Sequence, residues 1–144
     1  MATIREIITG RPVVTTESSD SVMHAAHLMV EQNIGAVAVL AAGELVGVFS
    51  ERDVMKRVMV EGRDPAKTKV SDVMTPDPLV VSPDESCANC LLLMKQHGFR
   101  HLPVSDGKKL VGFLSLRDLL LREVEEKDGD LRMMRDYIHA SPHS

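Results

Sequence analysis

Apolar positions along this chain keep two rhythms, one of period two and one near 3.6, and each rhythm occurs in two places. Val13-Val14-Thr15-Thr16 and Leu79-Val80-Val81 are short runs rich in β-branched residues and predict strands. Each is followed by a helical pattern. Val22, Ala25, Ala26 and Met29 stand at i, i+3, i+4 and i+7, and so do Cys87, Cys90, Leu91 and Met94. Asp20-Ser21 and Asp84-Glu85-Ser86 supply helix starts and first-turn acid. Two strands are predicted after each helix. The first pair covers 36–40 and 45–49, joined at Ala41-Ala42-Gly43-Glu44. The second covers 101–104 and 110–114, joined at Ser105-Asp106-Gly107-Lys108. A second helix starts behind each of Ser50 and Ser115, running to about 60 and about 126. Short helical turns are expected ahead of each half, at 3–8 and 71–74. Asp128-Gly129 predicts a break, then a separate helical segment over 130–139 and a tail over 140–144.

Shifted by 65 residues, the chain aligns with itself. Leu45-Val46-Gly47-Val48-Phe49-Ser50-Glu51-Arg52-Asp53 falls on Leu110-Val111-Gly112-Phe113-Leu114-Ser115-Leu116-Arg117-Asp118, with six of nine positions identical. Val39 meets Val104 and Met29 meets Met94. A one-residue adjustment near the start of each half pairs Thr9 with Thr75 and Pro12 with Pro78. The reading is therefore a mixed α/β (α+β) fold of two β-α-β-β-α units. Each unit, at ~60 residues, is small for an independent core, so two copies sharing one core are expected. The first spans 8–62, the second 72–128, and 129–144 is an addition; a polar connection, 61–69, joins the repeats.

Composition narrows the function classes. The chain has 144 residues, 44% apolar and 26% charged, which is globular rather than disordered. Seventeen Lys and Arg against 21 Asp and Glu leave a formal charge of −4, against a generally basic nucleic-acid footprint. Three Phe, one Tyr and no Trp cannot build a base-stacking sheet. No apolar run approaches the ~20 residues of a membrane span. Met1-Ala2-Thr3-Ile4-Arg5-Glu6 lacks the basic-then-apolar plan of a signal peptide. Two Cys make no disulfide framework, so a soluble, cytoplasmic protein with reduced thiols is expected.

Gly47-Val48-Phe49-Ser50-Glu51-Arg52-Asp53 and Gly112-Phe113-Leu114-Ser115-Leu116-Arg117-Asp118, each closing a β-α-β-β unit, resemble the signature of tandem CBS (cystathionine-β-synthase) domains, the Bateman module. His101-Leu102-Pro103-Val104 is similar to that family's second strand. The likeness covers roughly residues 8–126 and is strongest to small stand-alone CBS-pair proteins. It implies two repeats related by a pseudo-two-fold axis. It also implies a regulatory module rather than an enzyme, binding adenosine-containing ligands such as AMP, ATP or NAD between the repeats, and commonly dimerising. No catalytic residue, catalytic cofactor or metal is implied. The regulated partner protein is not named by the sequence.

The residue chemistry fits that implication. One carboxylate can accept hydrogen bonds from both vicinal hydroxyls of a ribose, and such charge-assisted bonds are the stronger kind. Asp53 and Asp118 stand three residues past a strand end, in a helical first turn whose N–H groups are free. Ser50 and Ser115 offer hydroxyls, and Arg52 and Arg117 can reach a phosphate. Gly47 and Gly112 permit close approach of backbone or ligand. The competing explanation is local: Ser-x-x-Asp is also a helix capping box, and caps repeat too. On that alternative the chain is a structural dimerisation or interaction module without a ligand.

By the resemblance, each cleft joins one repeat's Ser-x-Arg-Asp to strands of the other. Cleft one would combine Ser50, Arg52 and Asp53 with Thr75, Leu79, Val80, Phe99, Arg100 and His101. Cleft two would combine Ser115, Arg117 and Asp118 with Thr9, Val13, Val14, Ile34, Gly35 and Ala36. Arg100 and His101 would make cleft one cationic and suited to a phosphate-rich ligand, unless they form a solvated strand edge. Their counterparts Gly35 and Ala36 add no charge, so cleft two is expected to suit a nucleoside or monophosphate.

Other motifs carry less. Cys87-Ala88-Asn89-Cys90 suggests redox or metal chemistry, but both thiols share the helix slots of Val22 and Ala25, which are core positions. His24 and His27 lie at i, i+3 without an evident partner ligand. Leu131, Met134 and Ile138 form an apolar stripe outside the repeat, so a homodimer is expected.

Overall fold

The computed structural model describes residues 2–139, with side chains to 136. A helical turn α1 (Arg5–Ile8) opens the chain. The first repeat follows as β1 (Thr15–Glu17), α2 (Val22–Gln32), β2 (Ala36–Ala41), β3 (Glu44–Ser50) and a closing helix. That helix starts as α3 (Glu51–Asp53) and loosens into a π-helical stretch, Val54–Met59, where Val60 N–H reaches back five residues to the Met55 carbonyl. A second turn, α4 (Val70–Val73), and a short β4 (Thr75–Pro76) lead to the second repeat: α5 (Cys87–His97), β5 (His101–Asp106), β6 (Lys109–Ser115) and α6 (Leu116–His139).

The local causes are shared by both halves. Ser21 caps α2 by accepting from His24 N–H, and Ser86 caps α5 by accepting from Asn89 N–H, each at 3.1 Å. Asn33 and Gly98 end these helices in the left-handed conformation, φ 53° and 72°. Val22, Ala25 and Met29 face the first core, and Cys90 and Met94 the second. The hairpins run antiparallel, from Ala36↔Ser50 to Ala41↔Glu44 and from His101↔Ser115 to Asp106↔Lys109. Each has a register irregularity at the same place, between Val39 and Leu40 and between Val104 and Ser105. β1 joins β2 in parallel and β4 joins β3 antiparallel, giving a four-stranded sheet in the order β1-β2-β3-β4. β3 and β6 lie against each other between the repeats.

The segment ahead of each repeat belongs to the other repeat's core. Ile4 and Ile8 are buried among Cys90, Met94, Leu102, Val104, Leu114 and Leu119. Val70 and Val73 are buried among Val22, Val37, Val39, Phe49 and Val58. Backbone hydrogen bonds fix both crossings: Ile4 N–H to Glu85 O and Cys87 N–H to Ala2 O on one side, Val70 N–H to Asp20 O and Val22 N–H to Thr68 O on the other. Gly47 and Gly112 are where the crossing segments press on the sheets. A Cβ at Gly47 would stand 2.8 Å from the Thr75 carbonyl oxygen, and one at Gly112 would stand 2.7 Å from Ile8 Cγ2. The expected close approach is thus made by protein.

Three expectations are corrected. The strand expected over Leu79-Val80-Val81 reduces to a bridge at Val81, whose N–H bonds Pro103 O and whose carbonyl accepts from Ser105 N–H. Asp77 is left-handed, φ 48°, and Pro76, Pro78 and Pro83 deny the ladder its donors. The strand expected over 13–16 sits slightly later, at Thr15–Glu17. The break expected at Asp128-Gly129 is absent, since α6 runs unbroken through both. A single helical Gly costs only about 1 kcal/mol and stops a helix only when it turns left-handed, which Gly129 does not. The 140–144 tail lies outside the described residues.

Because Ile4 is fully buried in the other repeat's core, Ile4→Ala is expected to destabilise the chain by about 2–5 kcal/mol. Amide exchange should quicken first across β5 and β6, not β2 and β3. Denaturant titration with residue-resolved exchange checks both.

Candidate functional site

A cavity of about 270 Å³ opens where β3 and its closing helix meet the incoming chain of the second repeat. The sequence folds here for local reasons. Ser50 ends β3 and caps the next helix: Asp53 N–H donates to Ser50 Oγ (3.2 Å), while Ser50 N–H donates to Asp53 Oδ2 (3.0 Å). The Ser50 hydroxyl also donates to Oδ2, at 3.1 Å. The cap therefore uses one carboxylate oxygen. Oδ1 accepts no hydrogen bond and is ion-paired with the exposed Arg57, whose Nε stands 3.7 Å away, while Asp53 itself is buried.

The structure brings eight of the nine cleft-one residues to this cavity: Ser50, Arg52, Asp53, Thr75, Leu79, Phe99, Arg100 and His101. Val80 is exposed and does not line it. Gly35, expected on cleft two, lines this cavity instead, held by Glu51 N–H donating to its carbonyl. Sequence reasoning missed Glu51, Asp77 and Pro103 among the lining residues. Asp77 had a signal: the register pairing Thr9 with Thr75 makes it the counterpart of Arg11. Leu79, Phe99 and the prolines supply apolar wall. Phe99 is itself stacked on His97, with ring centroids 5.3 Å apart.

The charge of the cavity differs from expectation. Glu51, Asp53 and Asp77 line it beside Arg52 and Arg100, so carboxylates outnumber guanidiniums. His101 is disfavoured as a cation. Burial holds its pKa below the ordinary 6.5, with Arg100 pushing the same way and Asp118 and Glu51 opposing. Its ring stacks on Phe113, centroids 5.6 Å apart.

The cleft-two residues are not brought into one cavity: Ser115, Arg117 and Asp118 line neither of the two cavities described. Ser115 and Asp118 repeat the capping box, with Ser115 N–H to Asp118 Oδ2 at 2.8 Å and Asp118 N–H to Ser115 Oγ at 3.0 Å. Asp118 is also held by Arg11, which the sequence gave no local reason to place there. Arg11 Nη1 donates to Oδ1 (3.0 Å), and Nη2 donates to Oδ2 (2.9 Å) and to the Phe113 carbonyl (3.2 Å). Burial raises the Asp118 pKa, but the hydrogen bonds from Arg11 and Ser115 outweigh it, and the net direction is down. Val14 and Ile34 pack on the first core. Ala36 is buried opposite Ser50 on β2, Val13 is half-buried, and Arg117 is exposed. Thr9 is exposed, donates its hydroxyl to the Arg5 carbonyl and lines a separate cavity, also of about 270 Å³, with Arg5 and Arg11. Gly35 and Ala36 add no charge, as expected, but Arg11 brings a cation to Asp118 that the sequence reading did not include.

The Cys pair belongs to packing. Cys90 is fully buried with its thiol pKa pushed up to about 11 by burial, then by Glu85 and Cys87, and Cys87 is half-buried against the same core.

A family model for the CBS domain matches residues 4–60 and 70–125. The chain belongs to the CBS-domain family. Both matches begin in the segments that cross between repeats. The CBS pair is similar to the CBS domain-containing protein YhcV of Bacillus subtilis, 33% identical over 129 residues, covering 90% of this chain and 91% of that one. It is also similar to the mitochondrial CBS domain-containing protein CBSX3 of Arabidopsis thaliana, 32% identical over 126 residues, and spans 61% of that protein's length. Among solved structures it resembles CBSX2 in complex with AMP, with a TM-score of 0.73, 27% identity, and coverage of 88% of this chain and 99% of that one.

His101 gives a pH prediction. Its pKa is lowered in the fold, so on acidification the unfolded chain takes up the proton first. Its contribution is fully present above 6.5 and is lost as pH falls below 6.5 toward the folded value. Between about pH 7.5 and pH 5, the native chain should lose more stability than His101→Gln. Urea titrations at the two pH values check the difference, and the imidazole proton resonance should titrate below 6.5.

Proposed function

We propose that this CBS pair is a regulatory module, not a catalyst, which binds an adenine nucleotide of the AMP, ATP or NAD class and passes its occupancy to a partner protein. One observation carries the reading: Asp53, a buried residue, keeps an Oδ1 that accepts no hydrogen bond and has only the 3.7 Å ion pair with Arg57, on a cavity that also holds Arg52, Arg100, Phe99 and Leu79. That oxygen suits a ribose diol, the apolar wall suits a purine, and the guanidiniums suit phosphate. The likeness to a CBS protein solved with AMP supports the same class of ligand. Ligand spanning both repeats shifts their arrangement only by its differential affinity for the two states. The reduced, buried thiol fits a cytoplasmic setting.

Calorimetry with AMP, ATP and NAD tests this. Asp53→Asn should weaken the best of them by about tenfold to a hundredfold, the range for a lost hydrogen bond to a charged group. Unchanged affinity, or no binding by any of the three, leaves Asp53 as a helix cap alone and favours an interaction module.

The module is further proposed to act as a homodimer. Leu120, Val124, Leu131 and Met134 lie on one side of α6 at heptad-like spacing and are 46–61% exposed. No part of the chain covers the last turns of this helix among the described residues. Deleting 130–144 should keep the fold and weaken self-association. Light scattering decides, and a full-length monomer at micromolar concentration sinks the dimer.

A further inference from the structure

The two Ser-x-x-Asp boxes have the same sequence plan and different occupancy. Asp53 has one oxygen without a hydrogen bond, facing Arg57 Nε at 3.7 Å. Asp118 has none: Oδ1 accepts from Arg11 Nη1, and Oδ2 accepts from Arg11 Nη2 and from Ser115 N–H. Arg11 reaches it from the loop behind α1, right after Gly10, whose φ of +75° turns the chain back. In the repeat register Arg11 corresponds to Asp77, which lines the first cavity and, as a carboxylate, cannot pair with Asp53. The asymmetry is therefore built into one position of the register. The pair is bidentate and only part exposed, 43% for the Arg11 side chain and 23% for Asp118, so it is stronger than an ordinary surface contact.

A ligand offering a diol to Asp118 must remove Arg11 first. A neutral nucleoside has nothing to give the guanidinium in exchange. A nucleotide has: its phosphate accepts the same bidentate pair of N–H groups that the carboxylate gives up. We propose that Arg11 is a latch on the second cleft that selects nucleotides over nucleosides, by exchanging Asp118 for the ligand's phosphate. This rests on the proposed function, and it deepens it by giving the two clefts different rules. The first, where Asp53 Oδ1 has only the longer Arg57 contact, accepts a diol without breaking a bidentate pair. The latch also ties cleft two to the N-terminal crossing, since Arg11 follows directly on Ile4 and Ile8, the residues that close the second core. Occupying the second cleft would free that loop.

Amide resonances distinguish the clefts, with Ser50 and Asp53 reporting the first and Ser115 and Asp118 the second. In the full chain, AMP should shift Ser115 and Asp118 at about fivefold to tenfold lower concentration than adenosine does. In Arg11→Ala the adenosine midpoint at the second cleft should fall and the AMP midpoint should rise, so the two converge. Arg11→Lys, which keeps the charge and loses the fork, should fall between. The first cleft should not change in either variant. Equal midpoints for AMP and adenosine at the second cleft of the full chain overturn the latch. So does a ratio that Arg11→Ala leaves intact, or AMP shifting the first cleft and never the second. AMP shifting neither cleft overturns the proposed function itself.

Discussion

Neither repeat closes its own core, and most of the molecule follows from that. Ile4 and Ile8 complete the second core and Val70 and Val73 the first. Each unit is otherwise short of apolar volume, as units of ~60 residues are. Exchanging the leading segments welds the repeats without a large flat interface. It also sets the glycines, because Met74 and Thr75 press on Gly47 as Ile8 presses on Gly112. And it sets the cleft: chain leaving α4 must pass along β3, so Thr75, Pro76 and Asp77 arrive beside Ser50 and Asp53. The cavity is a by-product of the crossing.

The same economy governs the Ser-x-x-Asp boxes. Read as caps or as ligand sites, they look like alternatives. A carboxylate has two oxygens, and the cap at Ser50 uses only Oδ2. Capping holds the Asp53 carboxylate through Oδ2 and leaves Oδ1 out of the cap's hydrogen bonds. A preset acceptor loses less freedom on binding than a mobile one. On the proposed function the cap presets the acceptor, and the same cap recurs at Ser115 and Asp118, where Arg11 takes both carboxylate oxygens.

What the sequence disclosed and what it hid divide along range. Helix starts at Ser21 and Ser86, both hairpins, and the inward Val22, Met29, Cys90 and Met94 all depend on neighbours within a few residues, and they were legible. So was most of the first cleft, because a 65-residue repeat makes Ser50, Arg52 and Asp53 conspicuous. The crossings were not. A four-residue turn such as α1 announces an apolar side and says nothing about which core receives it. Gly129 misled because a glycine's stop signal is its left-handed conformation, which composition does not carry. Leu79 and Val80 misled because β propensity needs a free ladder, and the neighbouring prolines leave little of one.

Arg11 is the extreme case of hidden range, since its partner lies 107 residues away. Charge counted along strands put the extra cation in the first cleft, through Arg100 and His101. Charge counted in space does the opposite. Burial disfavours the charged form of His101, Glu51 and Asp77 enter the first cavity, and Arg11 binds the Asp118 carboxylate. The repeat conserves the hydrogen-bonding frame at Ser50 and Ser115 while the positions around it trade sign: Asp77 for Arg11, Glu51 for Leu116, Arg100 for Gly35. A frame held fixed with its electrostatics varied is how one duplicated fold comes to set its two Ser-x-x-Asp boxes among unlike charges. Capping and strand pairing tolerate no change at the frame, whereas partly exposed flanking charges cost little stability to exchange. The differences between the clefts therefore collect at the flanking positions.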